Sequence, residues 1–272
     1  MTWPMAWPSR VGAIVLRQFY LLRGSPVRIL PLFAWAAIDI VLWGFITRWL
    51  NGVASPRTNF VPILLGAVLL WDFLTRVMHG VATAFFEDVW TRNFLNLFAT
   101  PLSIGEYLGG LVTTAIATST LGLIVMMILA TTVFGLSFLS YGPALIPFLL
   151  VLFMTGIALG IFGGALVLRL GPAAEWLIWP APAIISPFAG VFYPLAVLPP
   201  WMQVVAHGLP PSYVFEGMRA ILAGKPVPVD QLAIGAGLAV IYIVAACLTF
   251  AAVHRLAVRT GLIARYSAES VS

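Results

Sequence analysis

A single acidic residue, Asp39, lies inside a long apolar stretch of this sequence. It follows Arg28 by eleven residues and precedes Arg48 by nine, so about 13–16 Å of helix would separate it from either charge. An ionisable group at that depth in a membrane is costly and commonly marks a transport or proton pathway. Two interpretations stay open. Asp39 lines a translocation path, or it is a structural clasp that is protonated or paired with another helix.

A short charged and aromatic segment, residues 85–106, separates two other apolar stretches and has the sequence FFEDVWTRNFLNLFATPLSIGE. On a helix, Asp88, Arg92 and Asn96 recur every four residues and form one polar stripe. The proline of TPLS ends this helix, and the following SIGE matches the capping box that begins a new one. The pattern predicts a helix and a sharp turn outside the bilayer, where they would dock a partner.

Several kinds of catalytic chemistry are missing from the sequence. No G-x-x-x-x-G-K-[ST] phosphate-binding loop is present, since the sole lysine, Lys225, precedes Pro226. The histidines, the single cysteine and the acids show no metal-ligand spacing, and no nucleophile elbow occurs. We therefore expect a chain that is no enzyme by itself and that binds neither a metal nor a cofactor.

The elements that must hold these residues are membrane helices. The chain is 61% hydrophobic and 8% charged, whereas a soluble domain has roughly 25% charged residues. A helix needs about 20 apolar residues to cross the hydrocarbon core. We therefore predict an all-α integral membrane protein with six transmembrane helices. The stretches that qualify are residues 29–50, 60–79, 107–134, 143–170, 176–198 and 232–253.

Positive charge is distributed unevenly over the loops between these spans. With the N-terminus inside, ten of the 14 lysine and arginine residues lie on the cytoplasmic side, as the positive-inside bias requires. Both termini are then cytoplasmic, the protein is multi-pass in the inner membrane, and the basicity needs no nucleic-acid partner. Residues 1–28 are expected to form a cytoplasmic interfacial helix with Arg10 and Arg17 on one face. Residues 29–254 form the transmembrane domain, and residues 255–272 form a cytoplasmic tail.

A ridge of small residues is predicted on the fourth span. Gly156, Gly160 and Gly164 recur every four residues, so they line one side of a helix. Such a ridge lets two helices approach closely in lipid. It would serve helix packing within the chain or in a dimer.

The region between the fifth and sixth spans is predicted to form an outer re-entrant hairpin. Several prolines interrupt residues 176–198, and two short apolar helices follow, at approximately residues 201–208 and 212–223. Both are too short to cross, so we expect them to dip into the outer leaflet. Glu216 and Arg219 lie one turn apart on the second helix and are expected to pair with each other or with the neighbouring hairpin segment.

Three motifs, taken in order, resemble the permease subunit of a type-2 ABC exporter. The first, TPLSIGEYLGG, is similar to the end of that family's coupling helix and the start of its third span. The second is SPFAGVFYPLAVLPPWMQ. The third, PSYVFEGMRAILAG, resembles the family's outer hairpin and closing helix. With the interfacial helix and six spans, the resemblance covers nearly the whole chain.

The resemblance implies an ATP-driven exporter. Two permeases, forming a homodimer in preference to a heterodimer, would sit in the lipid above two copies of a separate ABC ATPase subunit that binds ATP and Mg. The residues expected to couple to the ATPase are Glu87, Asp88, Arg92 and Arg17. The aromatic residues expected to seat the coupling helix against the span ends, or simply to anchor an interfacial helix, are Phe86, Trp90 and Phe94. The family moves lipids, saccharides and drugs.

An ion-gradient-driven secondary transporter is the alternative function. Asp39 would then be its protonation or cation site. The sequence shows one such acid and no internal repeat, whereas many secondary transporters are built from repeats.

Overall fold

The computed structural model describes residues 7–53, 61–91, 96–97 and 99–261, and the regular elements of those residues are helices. A π-helical turn, Val61–Leu65, precedes α3, and a 3-10 segment, Phe138–Ala144, precedes α5. The α-helices are α1 Trp7–Arg23, α2 Pro26–Val53, α3 Gly66–Trp90, α4 Ile104–Phe134, α5 Leu145–Leu170, α6 Glu175–Ile178, α7 Ala181–Ala189, α8 Pro200–His207, α9 Pro210–Leu222 and α10 Val229–Arg259.

Four helical segments of the described residues are long and apolar enough to cross a membrane. The predicted first span corresponds to α2, which has 28 residues. The prediction of an all-α, multi-pass membrane protein is confirmed. The four segments are Val61–Trp90, Ile104–Phe134, Tyr141–Leu170 and Val229–Arg259.

The predicted fifth span, residues 176–198, does not form one membrane-crossing helix. Here α6 has four residues and α7 has nine, far fewer than the roughly 20 that a crossing needs. Pro180 lies between the two helices, and Gly190, at φ +61°, ends α7. The break fits the prolines of this segment, because proline removes a helical hydrogen bond and clashes with the preceding turn. The six-span topology stays a prediction.

The second span also differs from its prediction, which ended at residue 79. α3 continues without a break to Trp90, so the first six residues of the predicted separate helix belong to the span. No glycine or proline interrupts the sequence after Gly80, and Phe85 and Phe86 are both buried. Asp72, which the shorter span would have put near its inner end, therefore lies near the middle of the Val61–Trp90 segment.

Helix α5 lies between α3 and α10, and α4 packs on the other side of α3 and against α1 and α2. The glycine ridge of α5 makes its close contact with α3 possible. A Cβ atom on Gly156 would lie 2.8 Å from the carbonyl oxygen of Leu74, and one on Gly160 would lie 2.8 Å from that of Met78. Gly164 faces Phe85 and a phenylalanine of α10. The ridge is thus covered by helices of the same chain.

The two short helices of the predicted hairpin are α8 and α9. α9 begins two residues earlier than expected, because Leu209 is its N-cap and two prolines occupy its first positions, which proline favours. Ser212 is buried within the helix. At the other end Gly224 adopts φ +72°, and Lys225 N donates to the carbonyl of Ala220 at 2.9 Å, the usual way in which a glycine ends a helix.

Candidate functional site

A buried ion pair joins α1 to the end of α3. The Arg17 guanidinium donates to both oxygens of Asp88, and the Nη1–Oδ2 distance is 3.1 Å. The Tyr107 hydroxyl of α4 donates to the same Oδ2 at 2.8 Å. Asp88 and Tyr107 are both fully buried. One carboxylate therefore holds three helices together, and we call Arg17, Asp88 and Tyr107 the joint.

The environment of the joint keeps Arg17 charged. Desolvation of the partly buried guanidinium opposes its charge, but the hydrogen bond and the negative charge of Asp88 outweigh it and raise the pKa of Arg17 above its ordinary value. A charged bidentate pair of this kind is geometrically specific as well as strong. Ile14 of α1 reinforces the contact, because a Cβ atom on Gly110 of α4 would lie 2.4 Å from its side chain.

A second attachment lies one heptad away on α1. Arg10 Nη1 donates to the Pro101 carbonyl at 2.7 Å and lies 3.4 Å from the Glu106 carboxylate. Glu106 also closes the predicted capping box: Ser103 N donates to its Oε2 at 2.8 Å, while Glu106 N donates to Ser103 Oγ at 3.3 Å. The capping box is therefore confirmed. Arg10 and Arg17 attach one face of α1 to the start of α4 and the end of α3.

The other predicted coupling residues lie around this joint. Glu87 is half-buried and Phe86 is buried at its side. Arg92 and Phe94 lie outside the described residues. Trp90 occupies the last position of α3, and 52% of its surface is exposed. Its role, seating the coupling helix or anchoring an interfacial helix, stays a prediction.

The predicted polar stripe does not hold for Asp88. A stripe of Asp88, Arg92 and Asn96 would have exposed its carboxylate to a partner, whereas the structure buries it completely. The physical reason is that Asp88 has partners on α1 and α4. Sequence reasoning missed Tyr107 as a partner of Asp88 and Glu106 as a partner of Arg10, because both contacts join different helices. Whether these residues couple to an ATPase stays a prediction.

A cavity of about 580 Å³ runs along α3 between α1, α2 and α4. Its floor carries polar side chains of α3 and hydroxyl groups of α4, and tryptophan rings line its sides. We call it the polar cavity. The lining residues that carry a charge, an amide, an imidazole or an indole ring are Gln18, Trp35, Asp39, Asp72, Arg76, His79, Glu87, Trp90 and Trp179. Among the described residues, no group of three or more His, Cys, Asp or Glu is arranged to hold a metal ion.

Asp39 and Asp72 meet at the end of the polar cavity that lies near the middle of the Val61–Trp90 segment. Their carboxyl groups face each other across α2 and α3 and are close enough to interact. Asp72 is also bound by Arg76, one turn along its own helix, through the guanidinium Nε. Two adjacent carboxyl groups favour a proton between them, since an ionised carboxylate only accepts hydrogen bonds. Asp39 therefore lies beside α3 and on a cavity wall, and whether it lines a translocation path or acts as a structural clasp stays a prediction.

His79 stands one turn beyond Arg76 on the same wall. Its ring lies 4.6 Å from the ring of Trp179. Its Nε2 atom is buried and has no hydrogen-bond partner among the described residues. The segment that breaks the fifth span is therefore held against α3 at the cavity.

The outer hairpin is fixed by the predicted pair Glu216 and Arg219. Arg219 Nη2 lies 2.9 Å from Glu216 Oε1, and its Nη1 donates to the Gly190 carbonyl at 2.8 Å. Leu195 N donates to the same Glu216 oxygen at 2.7 Å. The two residues pair with each other and with the neighbouring segment, which were the two options that the sequence left open. A contact with exported solute stays a prediction.

Residues 11–223 match the family described as ABC-2 type transporter. The chain belongs to this family. It is a membrane permease of ABC-type transport. The joint and the polar cavity lie within the matched region. None of the curated proteins compared with the chain matches its sequence.

Proposed function

We propose that this chain is the permease subunit of an ATP-driven exporter of the inner membrane. Two copies, as a homodimer, form the translocation path, and two copies of a separate ABC ATPase subunit bind ATP and Mg below it. Both termini and the joint face the cytoplasm. The observation that carries the proposal is the joint itself, in a family member whose sequence has no phosphate-binding loop.

The joint supports a mechanical role because it connects three elements at the end of α3. We propose that Glu87, the exposed Trp90 and the following Arg92 and Phe94 receive the ATPase. A displacement of this end would pass to α1 through Arg17 and to α4 through Tyr107, since both side chains bind Asp88. Asp88 would then transmit the movement without touching the ATPase.

Reconstitution with defined partners tests the proposal. The tagged chain is coexpressed with each ABC ATPase subunit of the same genome in turn, purified in mild detergent, and assayed for complex mass and ATP hydrolysis. We expect one ATPase to co-purify in a complex of two permeases and two ATPases. Transport of a substrate at the full rate by the chain alone would refute dependence on a partner.

Matched variants localise the contact. Glu87→Lys at the end of α3 should reduce ATPase co-purification while membrane insertion is retained. Asp230→Lys is the control, since Asp230 is an exposed acid in the first turn of α10, away from the joint. Equal co-purification of both variants with the native chain would show that the end of α3 is not the ATPase contact.

A second candidate function is transport driven by a proton gradient through Asp39. The facing carboxyl groups of Asp39 and Asp72 favour it, because two adjacent acids can take up a proton inside the membrane domain. The measurement that separates the two is transport in vesicles without any ATPase. Transport that persists there and stops when the proton gradient is collapsed would establish the second candidate.

A further inference from the structure

The polar cavity has the size and shape of a small-molecule site. Its volume of about 580 Å³ falls in the range of roughly 300–1,000 Å³ that is usual for ligand pockets. From Asp72 to Glu87 it follows 15 residues of α3, or about 22 Å at the helical rise. It can therefore contain an elongated molecule with one polar end.

The charges that line the cavity are unbalanced. At one end the acids Asp39 and Asp72 face the single guanidinium of Arg76, whereas Glu87, at the other end, lies near the charge of Arg17. Arg76 is already bonded to Asp72. The second carboxyl of this pair, Asp39, faces Asp72, and two adjacent carboxyl groups favour a proton between them. A cation placed between these two acids would compensate the same negative charge that the proton does.

Two uncharged groups point to a ligand independently of the acids. Gln18 of α1 lines the cavity and is 4% exposed, and its amide nitrogen has no hydrogen-bond partner among the described residues. The Nε2 atom of His79 is likewise buried and unpartnered. Buried polar groups are nearly always hydrogen-bonded, so these two atoms mark places where a bound molecule would contribute a partner.

The remaining walls favour an apolar, aromatic body next to that charge. The rings of Trp35, Trp90 and Trp179 border the cavity. An indole face attracts an organic cation more strongly than any other side-chain ring does. An anion would meet the same electron-rich faces and three acids.

We propose that the polar cavity binds an amphipathic organic cation, whose charged group replaces the proton shared by Asp39 and Asp72. The inference rests on the proposed function for its transport consequence, because it names the substrate class of that exporter. Binding releases one proton from the acid pair, and charge is conserved at the site. The cation's apolar body lies along the tryptophan-lined wall.

The acid pair makes binding dependent on pH. The charged and titratable side chains that surround Asp39 are Asp72, Arg76 and His79 of α3, with Glu87 farther along the cavity. The lining side chains from α1, α4 and Trp179 carry no charge. Since a bound cation displaces a proton, its affinity should rise with pH, by no more than tenfold per pH unit.

Equilibrium binding of tetraphenylphosphonium to the purified full chain, without ATPase or nucleotide, tests this proposal. The probe keeps its charge at every pH, so any pH dependence comes from the protein. Tetraphenylborate, with the same shape and the opposite charge, is the matched control ligand. We expect saturable binding of the phosphonium that Asp39→Asn weakens by at least about tenfold, and no saturable binding of the borate.

Further variants keep the test independent of folding. Asp39→Glu should retain binding, because it keeps the charge, and Asp230→Asn should leave it unchanged. In Asp39→Asn the residual binding should lose its pH dependence. Equal affinity for the two ions, or an unaltered dissociation constant in both Asp39→Asn and Asp72→Asn, would overturn the proposal. Phosphonium binding without any ATP-dependent export would leave this site standing and refute the proposed function instead.

Discussion

The joint and the polar cavity each contain an aspartate bound by arginine, yet they use the pair differently. Asp88 is fully buried, and donors from α1 and α4 converge on it. Asp72 also binds arginine, but it opens onto a cavity and has a second acid, Asp39, beside it. The carboxylate of the joint accepts from donors on two other helices, whereas we propose that the acids of the cavity hold a proton that a ligand can replace. The joint holds helices together, and the proposed role of the cavity is to exchange that proton for a ligand.

Removing the charge of the joint should have the largest effect on stability. Asp88→Asn leaves Arg17 without its counter-charge in a partly buried position, which should lower the stability by on the order of 3 kcal/mol. The measurement is the melting temperature of the detergent-purified chain by fluorescence-detected size exclusion. Arg23→Ala, at the exposed end of α1, is the control and should leave the melting temperature unchanged.

A double variant sharpens this result. Arg17→Gln combined with Asp88→Asn removes both charges, so the pair should be less destabilised than the sum of its single variants. Additive losses would show that the two side chains contribute independently, and the comparison with the cavity would lose its basis.

Asp72→Asn should have the next largest effect. It removes the negative charge and one of the two oxygens that accept from Arg76, and a hydrogen bond to a charged group typically contributes about 1.5–3 kcal/mol. The loss should be smaller than that of Asp88→Asn, because Asp39 stays nearby to compensate the guanidinium. The same melting assay compares the two variants directly. A greater loss at Asp72 than at Asp88 would mean that the cavity, not the joint, is the main structural connection.

Local patterns predicted some features of the molecule. The capping box of Ser103 and Glu106 and the pairing of Glu216 with Arg219 each depend on residues three positions apart. Such contacts follow from helix geometry alone.

Partners that are distant in sequence were not predictable in the same way. Arg17 and Asp88 are 71 residues apart, and Asp39 meets Asp72 only because α2 lies beside α3. The periodicity of residues 85–97 showed that one face is polar, but not that this face turns inward at Asp88. The side on which a helix packs is decided by its neighbours, which one sequence does not specify.

Ser103→Ala tests how much the second attachment of α1, through Arg10, depends on the local cap. It removes the hydroxyl that accepts from Glu106 N, which should cost about 1 kcal/mol. The attachment of Arg10 to Pro101 should survive, since that bond uses a backbone carbonyl. Melting of Ser103→Ala and of Ser103→Thr, which keeps a hydroxyl, provides the comparison. Equal losses in the two variants would exclude the cap as the cause.

Asp39→Asn should have the smallest effect on stability and therefore separates the two regions most clearly. The asparagine amide can donate to Asp72 in place of the shared proton, so the melting temperature should correspond to a change within about 0.5 kcal/mol. Asp39→Ala, which cannot donate, should melt lower. If Asp39→Asn instead destabilises as much as Asp88→Asn, the acid pair is a clasp like the joint. If it melts like the native chain but no longer binds the phosphonium, the carboxyl is kept for the ligand. A buried acid that an amide replaces without loss of stability has its reason in what the cavity binds.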